Sequence, residues 1–124
     1  MIKNIVVGNK TVKMKATAGT PRLYRITFKR DIFKDMEQLQ KSFKGNEQMP
    51  IEDLTVFENV AYIMAKQADY DDSGARLYNV PDTADEWLDG FDGIFSIYEA
   101  LPQILELWGD NIVTMSESKK KINR

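Results

Sequence analysis

Apolar positions alternate at the start of the chain and recur at helical spacing after it. Residues 2–7, IKNIVV, are rich in β-branched side chains and predict a strand, followed by a Gly8-Asn9 turn signal. Residues 10–16, KTVKMKA, place Val12 and Met14 on one face and Thr11, Lys13 and Lys15 on the other. Together they predict a β-hairpin. Two strands alone are marginal in water, so the hairpin must pack on helices or pair with the edge of another copy.

Thr17 to Thr20 is a small-residue linker. Thr20-Pro21 then predicts a helix start, with Thr20 as N-cap and Leu23, Ile26 and Phe28 pointing inward. Arg30-Asp31 marks a break or a continuation into a second helix over 31–43, where Ile32, Phe33, Met36, Leu39 and Phe43 follow helical spacing. Lys44-Gly45-Asn46 ends it. Met49-Pro50 opens a third helix over 51–68, with an apolar stripe of Leu54, Phe57, Val60, Ala61, Met64, Ala65 and Ala68. Residues 69–80 read as a loop, and PDTADEWLDGF as a short helix capped by Asp82 or Thr83. A last helix over 95–109 is kinked or restarted at Pro102. The fold class is mainly α: an N-terminal β-hairpin followed by a bundle of about four to five helices, α+β by strict count. It forms one domain over 1–115, with the hairpin at 1–16, helices over 20–111, and a disordered basic tail at 116–124.

Composition narrows the chemistry. The chain has 124 residues, 43% of them hydrophobic, and no cysteine or histidine. Thiolate chemistry, zinc thiolate sites and histidine-dependent triads are excluded, and no GxxxxGK[ST] or GxGxxG phosphate loop is present. The chain is read as a non-enzyme with no cofactor, metal or catalytic residue. IKNIVVGNK is too short and too polar for a secretory leader, and no apolar run approaches the ~20 residues of a membrane helix.

Charge adds an asymmetry. Residues 1–45 carry eleven Lys/Arg against three Asp/Glu, whereas residues 46–115 carry two against fifteen. Folding brings the halves together so that their fields partly cancel, or leaves a bipolar surface that pairs head to tail or grips a charged partner. The stretch from Thr17 to Met36 holds Arg22, Arg25, Lys29, Arg30 and Lys34 among apolar residues. Positions 22, 25 and 29 share one helical face, which gives a cationic outer stripe. No helix-turn-helix or RNP pattern accompanies them, and so acidic a second half argues against a nucleic-acid binder. The basic residues do not segregate as a membrane-surface helix requires.

Two acidic features invite a metal reading. Asp69, Asp71 and Ser73 followed by Gly74 copy the start of an EF-hand loop, but position twelve is Val80 instead of glutamate. A solvated acidic turn accounts for them better. Asp82, Asp85, Glu86, Asp89 and Asp92 read as a solvated helix face. Trp87, Phe91, Leu105 and Trp108 belong to a dense aromatic region that packs the core or in part lines a groove for a partner's helix. The residues expected to bind partners are Arg22, Arg25 and Arg30 for charged contacts between chains, and Trp87, Phe91, Leu105 and Trp108 for apolar ones.

The order of segments resembles a known family. A hairpin precedes ATAGTPRLYRITFKRDIFKDM, then LTVFENVAYIMAKQAD, EWLDGFD and SIYEALPQILELWGDN. Over nearly the whole chain this looks like the tail assembly chaperones of long-tailed phages and prophages of Gram-positive bacteria. Many members have glycine before the RDI arginine, where this chain has Lys29, and the 69–80 loop is longer than the family leads one to expect. The resemblance implies a non-enzymatic protein that binds and solubilises the helical tape measure protein and helps recruit tail tube subunits. It implies a homo-oligomer in the host cytoplasm, absent from the mature virion, with no nucleic acid or membrane as partner. It also implies a longer frameshifted form, for which Lys119-Lys120-Lys121 is a candidate slippery site. A nucleic-acid-binding phage regulator and a structural tail component are the competing readings.

Overall fold

The computed structural model describes residues 2–44, 50–94 and 96–109. Strands β1 (Ile2–Val7) and β2 (Lys10–Lys15) pair antiparallel, with Val7 opposite Lys10 and Ile2 opposite Lys15. Gly8 sits at φ +62° in the two-residue turn, where glycine bears no Cβ strain. A Cβ there would also lie 2.7 Å from Ser96 Oγ. Alternation works as the sequence predicts: Ile5, Val7 and Met14 are buried while Val6 and Lys13 face out.

Helices α1 (Thr20–Phe28), α2 (Ile32–Lys44), α3 (Ile51–Gln67) and α4 (Ala84–Leu88) follow. A 3-10 turn, Tyr98–Ala100, then leads into α5, residues 101–109. Among the described residues the fold is therefore mainly α with an N-terminal hairpin, as expected. One hydrophobic core joins hairpin and helices, from Ile5 and Met14 through Tyr24, Met36 and Phe57 to Ile104 and Trp108.

The centre is α3, which packs against β2, α1, α2 and α4. Its expected single stripe is too narrow, because Val56, Tyr62 and Ile63 are buried as well and Leu54 only half-buried. A helix enclosed on several sides buries most of its circumference. Pro50 stands at its N-cap and Glu52 and Asp53 in its first turn, as the Met49-Pro50 signal predicts.

Helix α1 requires two corrections. Gly19 is the N-cap residue, and Thr20 lies inside the first turn. There Thr20 Oγ1 accepts the Thr17 N–H at 2.8 Å and donates to the Gln67 side chain, which pins α1 to the end of α3. Ile26 is half exposed, and Tyr24 is the residue fully buried. The inward face runs Thr20–Tyr24–Phe28 at i,i+4 spacing, and Ile26 sits about 200° around from Tyr24. The helix ends at Lys29, whose φ of +60° is left-handed and whose N–H reaches Arg25 O at 2.8 Å. Asp31 then starts α2 by accepting the Phe33 N–H at 2.9 Å.

Thr83 is the cap of α4, accepting the Glu86 N–H at 3.2 Å. Pro102 restarts the helix rather than kinking it, since it falls in the first turn of α5 where no carbonyl is lost. The expected helix end at Gly45-Asn46, Phe95, and the tail with Lys119–Lys121 lie outside the described residues. No helix among the described residues is long and apolar enough to cross a membrane.

Candidate partner-binding surfaces

The seven candidate residues fall in three places. Arg22 and Arg25 are exposed on α1 and, with Lys29, form no ion pair with any described residue. Arg30 is different. Its Nε and Nη2 each lie 2.8 Å from an oxygen of Asp35, and the Tyr24 hydroxyl donates to the same carboxylate at 2.7 Å. This bidentate clamp fixes the α1–α2 elbow. The Arg30 guanidinium holds the Asp35 carboxyl below its usual value against the opposing push of burial, and burial pushes the Tyr24 phenol well above its own. Arg30 therefore already serves a contact within the chain, with 54% of its side chain still exposed.

Leu105 and Trp108 meet α2. Trp108 is buried, and Phe33 packs on it with ring centroids 5.6 Å apart. Phe33 remains 49% exposed, and Phe43 45%. Leu105, Phe43, Pro102, Gln40 and Glu106 line a groove of about 320 Å³ between α2 and α5. Phe33 also borders a cleft with Arg25 and Lys29 at the elbow. The unpaired cations Arg25 and Lys29 thus share the elbow cleft with the exposed Phe33 and with Asp31. The sequence reading missed Phe33 and Phe43 as surface because both match the helical spacing of the core set. Phe33 lies about 100° from Ile32, off the buried arc, and Phe43 falls in the last turn beyond Leu39.

Trp87 and Phe91 lie elsewhere. Trp87 is buried against Tyr62 at 5.9 Å and meets Phe91 nearly at right angles at 5.0 Å. Lys10 Nζ stands 5.7 Å from the centre of the Phe91 ring and donates to Gly90 O at 2.6 Å. These side chains border β2 and line a groove along it, whereas Leu105 lines the groove between α2 and α5.

The acidic segments resolve into two kinds. Asp69 is fully buried, which corrects the expectation of a solvated turn at this residue. Its carboxylate accepts the N–H groups of Tyr78 at 2.6 Å and Val80 at 2.9 Å, and Arg76 Nε lies 3.1 Å away. Burial pushes this carboxyl up, but those three donors together hold it below its usual value. Asp71 accepts from the Ser73 N–H and hydroxyl and from the Ala75 N–H at the exposed tip. Both carboxylates serve the chain's own donors, and no group of three acidic side chains among the described residues is arranged to hold a cation. Asp82, Asp85, Glu86, Asp89 and Asp92 are exposed as expected, but only Asp85 and Glu86 stand on α4, so the expected helix face is a solvated surface of a short helix and its flanking turns.

Direct pairing does not cancel the charge asymmetry. Of the five ion pairs among the described residues, only Lys3–Glu106, at 2.9 Å, joins the basic first 45 residues to the acidic remainder. The chain matches no family model, no curated protein and no solved structure.

Proposed function

We propose that this protein is a phage tail assembly chaperone that binds and solubilises the tape measure protein and helps recruit tail tube subunits. The observation that carries the reading is the exposed aromatic surface of α2, with half-exposed Phe43 in the α2–α5 groove and half-exposed Phe33 in the elbow cleft beside the unpaired Arg25 and Lys29. Such a surface suits an amphipathic helix, whose apolar stripe covers the aromatics while acidic residues meet the cations. Burying the open half of each ring contributes about 1 kcal/mol apiece. The left-handed φ at Lys29 adds support, because the proposed family often carries glycine there and glycine favours that conformation. The uncancelled charge halves favour head-to-tail association of copies. In this reading the protein is non-enzymatic, acts in the host cytoplasm and is absent from the finished virion.

The test is co-expression with the tape measure protein of the same phage, read by solubility and by size exclusion with light scattering. Soluble co-elution with several copies per tape measure is expected, and Phe43→Asp should abolish it while leaving the fold intact. An insoluble tape measure with this protein eluting alone sinks the reading. Direct DNA binding with steep salt dependence would favour the regulator instead, and presence in purified particles the structural tail component.

A further inference from the structure

A two-stranded sheet has two free edges, and those of this hairpin differ. On β1, the Gln103 side-chain amide of α5 accepts the Val6 N–H at 3.0 Å and donates to Val6 O at 3.2 Å. Gln103 occupies the place a third strand would take. Both polar groups of Val6 therefore point away from β2, and Val6 and its register partner Thr11 form a non-hydrogen-bonded pair. By the same alternation the backbone N–H and C=O of Thr11, and of Lys13 two residues on, point outward from β2. No described residue bonds them.

These groups border a groove of about 270 Å³ whose other sides are Ala65, residues 79–81, Trp87 and Phe91. The 79–81 side is held in place. Asp69 takes the Val80 N–H, Lys66 Nζ donates to Val80 O at 3.1 Å, and the Tyr62 hydroxyl donates to Pro81 O at 2.6 Å. The groove is thus preformed, which lowers the cost of ordering it on binding. Lys10, bonded to Gly90 O, lies across the turn end.

The chemistry of the occupant follows from the pleat. Side chains of an added strand alternate between two faces. Those on the Val12 and Met14 face enter the groove against Trp87 and Phe91. Those on the other face lie beside Lys13 and Lys15, neither of which is ion-paired to a described residue. Glu86 is the single carboxylate on the groove. A second copy of β2 is disfavoured, because antiparallel pairing about a two-fold axis gathers Lys13 and Lys15 of both copies on one exposed face with no carboxylate in either strand, and at the register centred on Lys13 sets lysine against lysine. A second copy's β1 offers an edge already blocked at Val6 by Gln103.

We propose that the open edge of β2 binds an extended segment of another protein as a third strand, with apolar residues facing Trp87 and Phe91 and carboxylates facing Lys13 and Lys15. This holds whichever partner occupies the α2–α5 groove. The probe is the blocked peptide Glu-Val-Asp-Phe-Glu-Val-Asp, added to the full chain and followed by amide NMR and hydrogen exchange. Binding is expected to slow exchange at Thr11 and Lys13 about tenfold or more, the factor that 1.4 kcal/mol of added protection gives. Thr11→Pro removes an outward N–H but no ladder bond, so the unfolding midpoint should hold while affinity falls about tenfold. Lys13→Glu, at an exposed position, should switch preference to Lys-Val-Lys-Phe-Lys-Val-Lys. The proposal is overturned by absence of saturable binding at about 1 mM peptide, by equal wild-type affinity for the two peptides, or by unchanged binding in a folded Thr11→Pro variant. Concentration-dependent protection of Thr11 and Lys13 without peptide also overturns it, assigning the edge to a second copy.

Discussion

Asp35 and Asp69 are both buried, and each holds an arginine, yet they are satisfied in different ways. Asp35 joins two helices through side chains, the Tyr24 hydroxyl and the Arg30 guanidinium. Asp69 organises a loop through backbone, taking the N–H groups of Tyr78 and Val80, with Arg76 spanning from it to Val80 O. Partners on side chains can be removed one at a time, or turn to water if their carboxylate is lost. Backbone donors have no such freedom, and left unpaired in the interior each costs about 1–3 kcal/mol. The Asp69 cluster is therefore the more brittle of the two, and it also holds the 79–81 side of the β2 groove.

The largest expected effect is that of Asp69→Ala, a loss of about 3–5 kcal/mol by urea unfolding, because it strands two backbone donors, while Arg76, 37% exposed, keeps Val80 O and water. Asp35→Ala should cost less, about 2–3 kcal/mol: the Tyr24 hydroxyl loses its acceptor, but Arg30, with 54% of its side chain exposed, turns to solvent. Equal losses in the two variants would break the comparison. The pH dependence comes next. Both folded-state carboxyls titrate below the ordinary aspartate value near ~3.9, so their stabilisation is full above that value and is lost as pH falls through the folded pKa values. With no histidine in the chain, thermal unfolding should be nearly flat between about pH 5 and 7 and fall below about pH 4. Asp35→Asn should shrink that acid-side fall, and an unchanged acid limb would discount its coupling to Arg30. The smallest effect is a gain. Lys29→Gly should raise stability by up to about 1 kcal/mol by relieving the left-handed φ at the elbow, and a loss there would show that the Lys29 side chain contributes to it.

Each element was legible where its signal was local. The Gly8-Asn9 turn between alternating runs, and Pro21, Pro50 and Thr83 near helix starts, all read correctly to within a residue or so. The candidate surface was legible only in part. Arg22, Arg25 and Leu105 lie where partners can reach them, but Trp87 and Trp108 are covered by aromatic neighbours from distant segments. Arg30 looked free because its partner lies five residues on, across a break that no helical or strand spacing anticipates. Asp69 looked solvated because its strongest donors are backbone groups nine and eleven residues away, and any sequence supplies those.

The order and kind of the elements, the lack of thiol and imidazole chemistry, and the separation of positive from negative charge can all be read along the chain. Those follow from backbone sterics, from hydrogen bonds within a few residues, and from composition. Packing between distant segments sets Ile26 outward and Tyr24 inward, leaves Phe33 and Phe43 half exposed, makes Asp69 interior, and caps Val6 on the β1 edge with Gln103 while the β2 edge stays open. Burial depends on which surfaces meet, and here they meet across separations as long as the 97 residues between Val6 and Gln103.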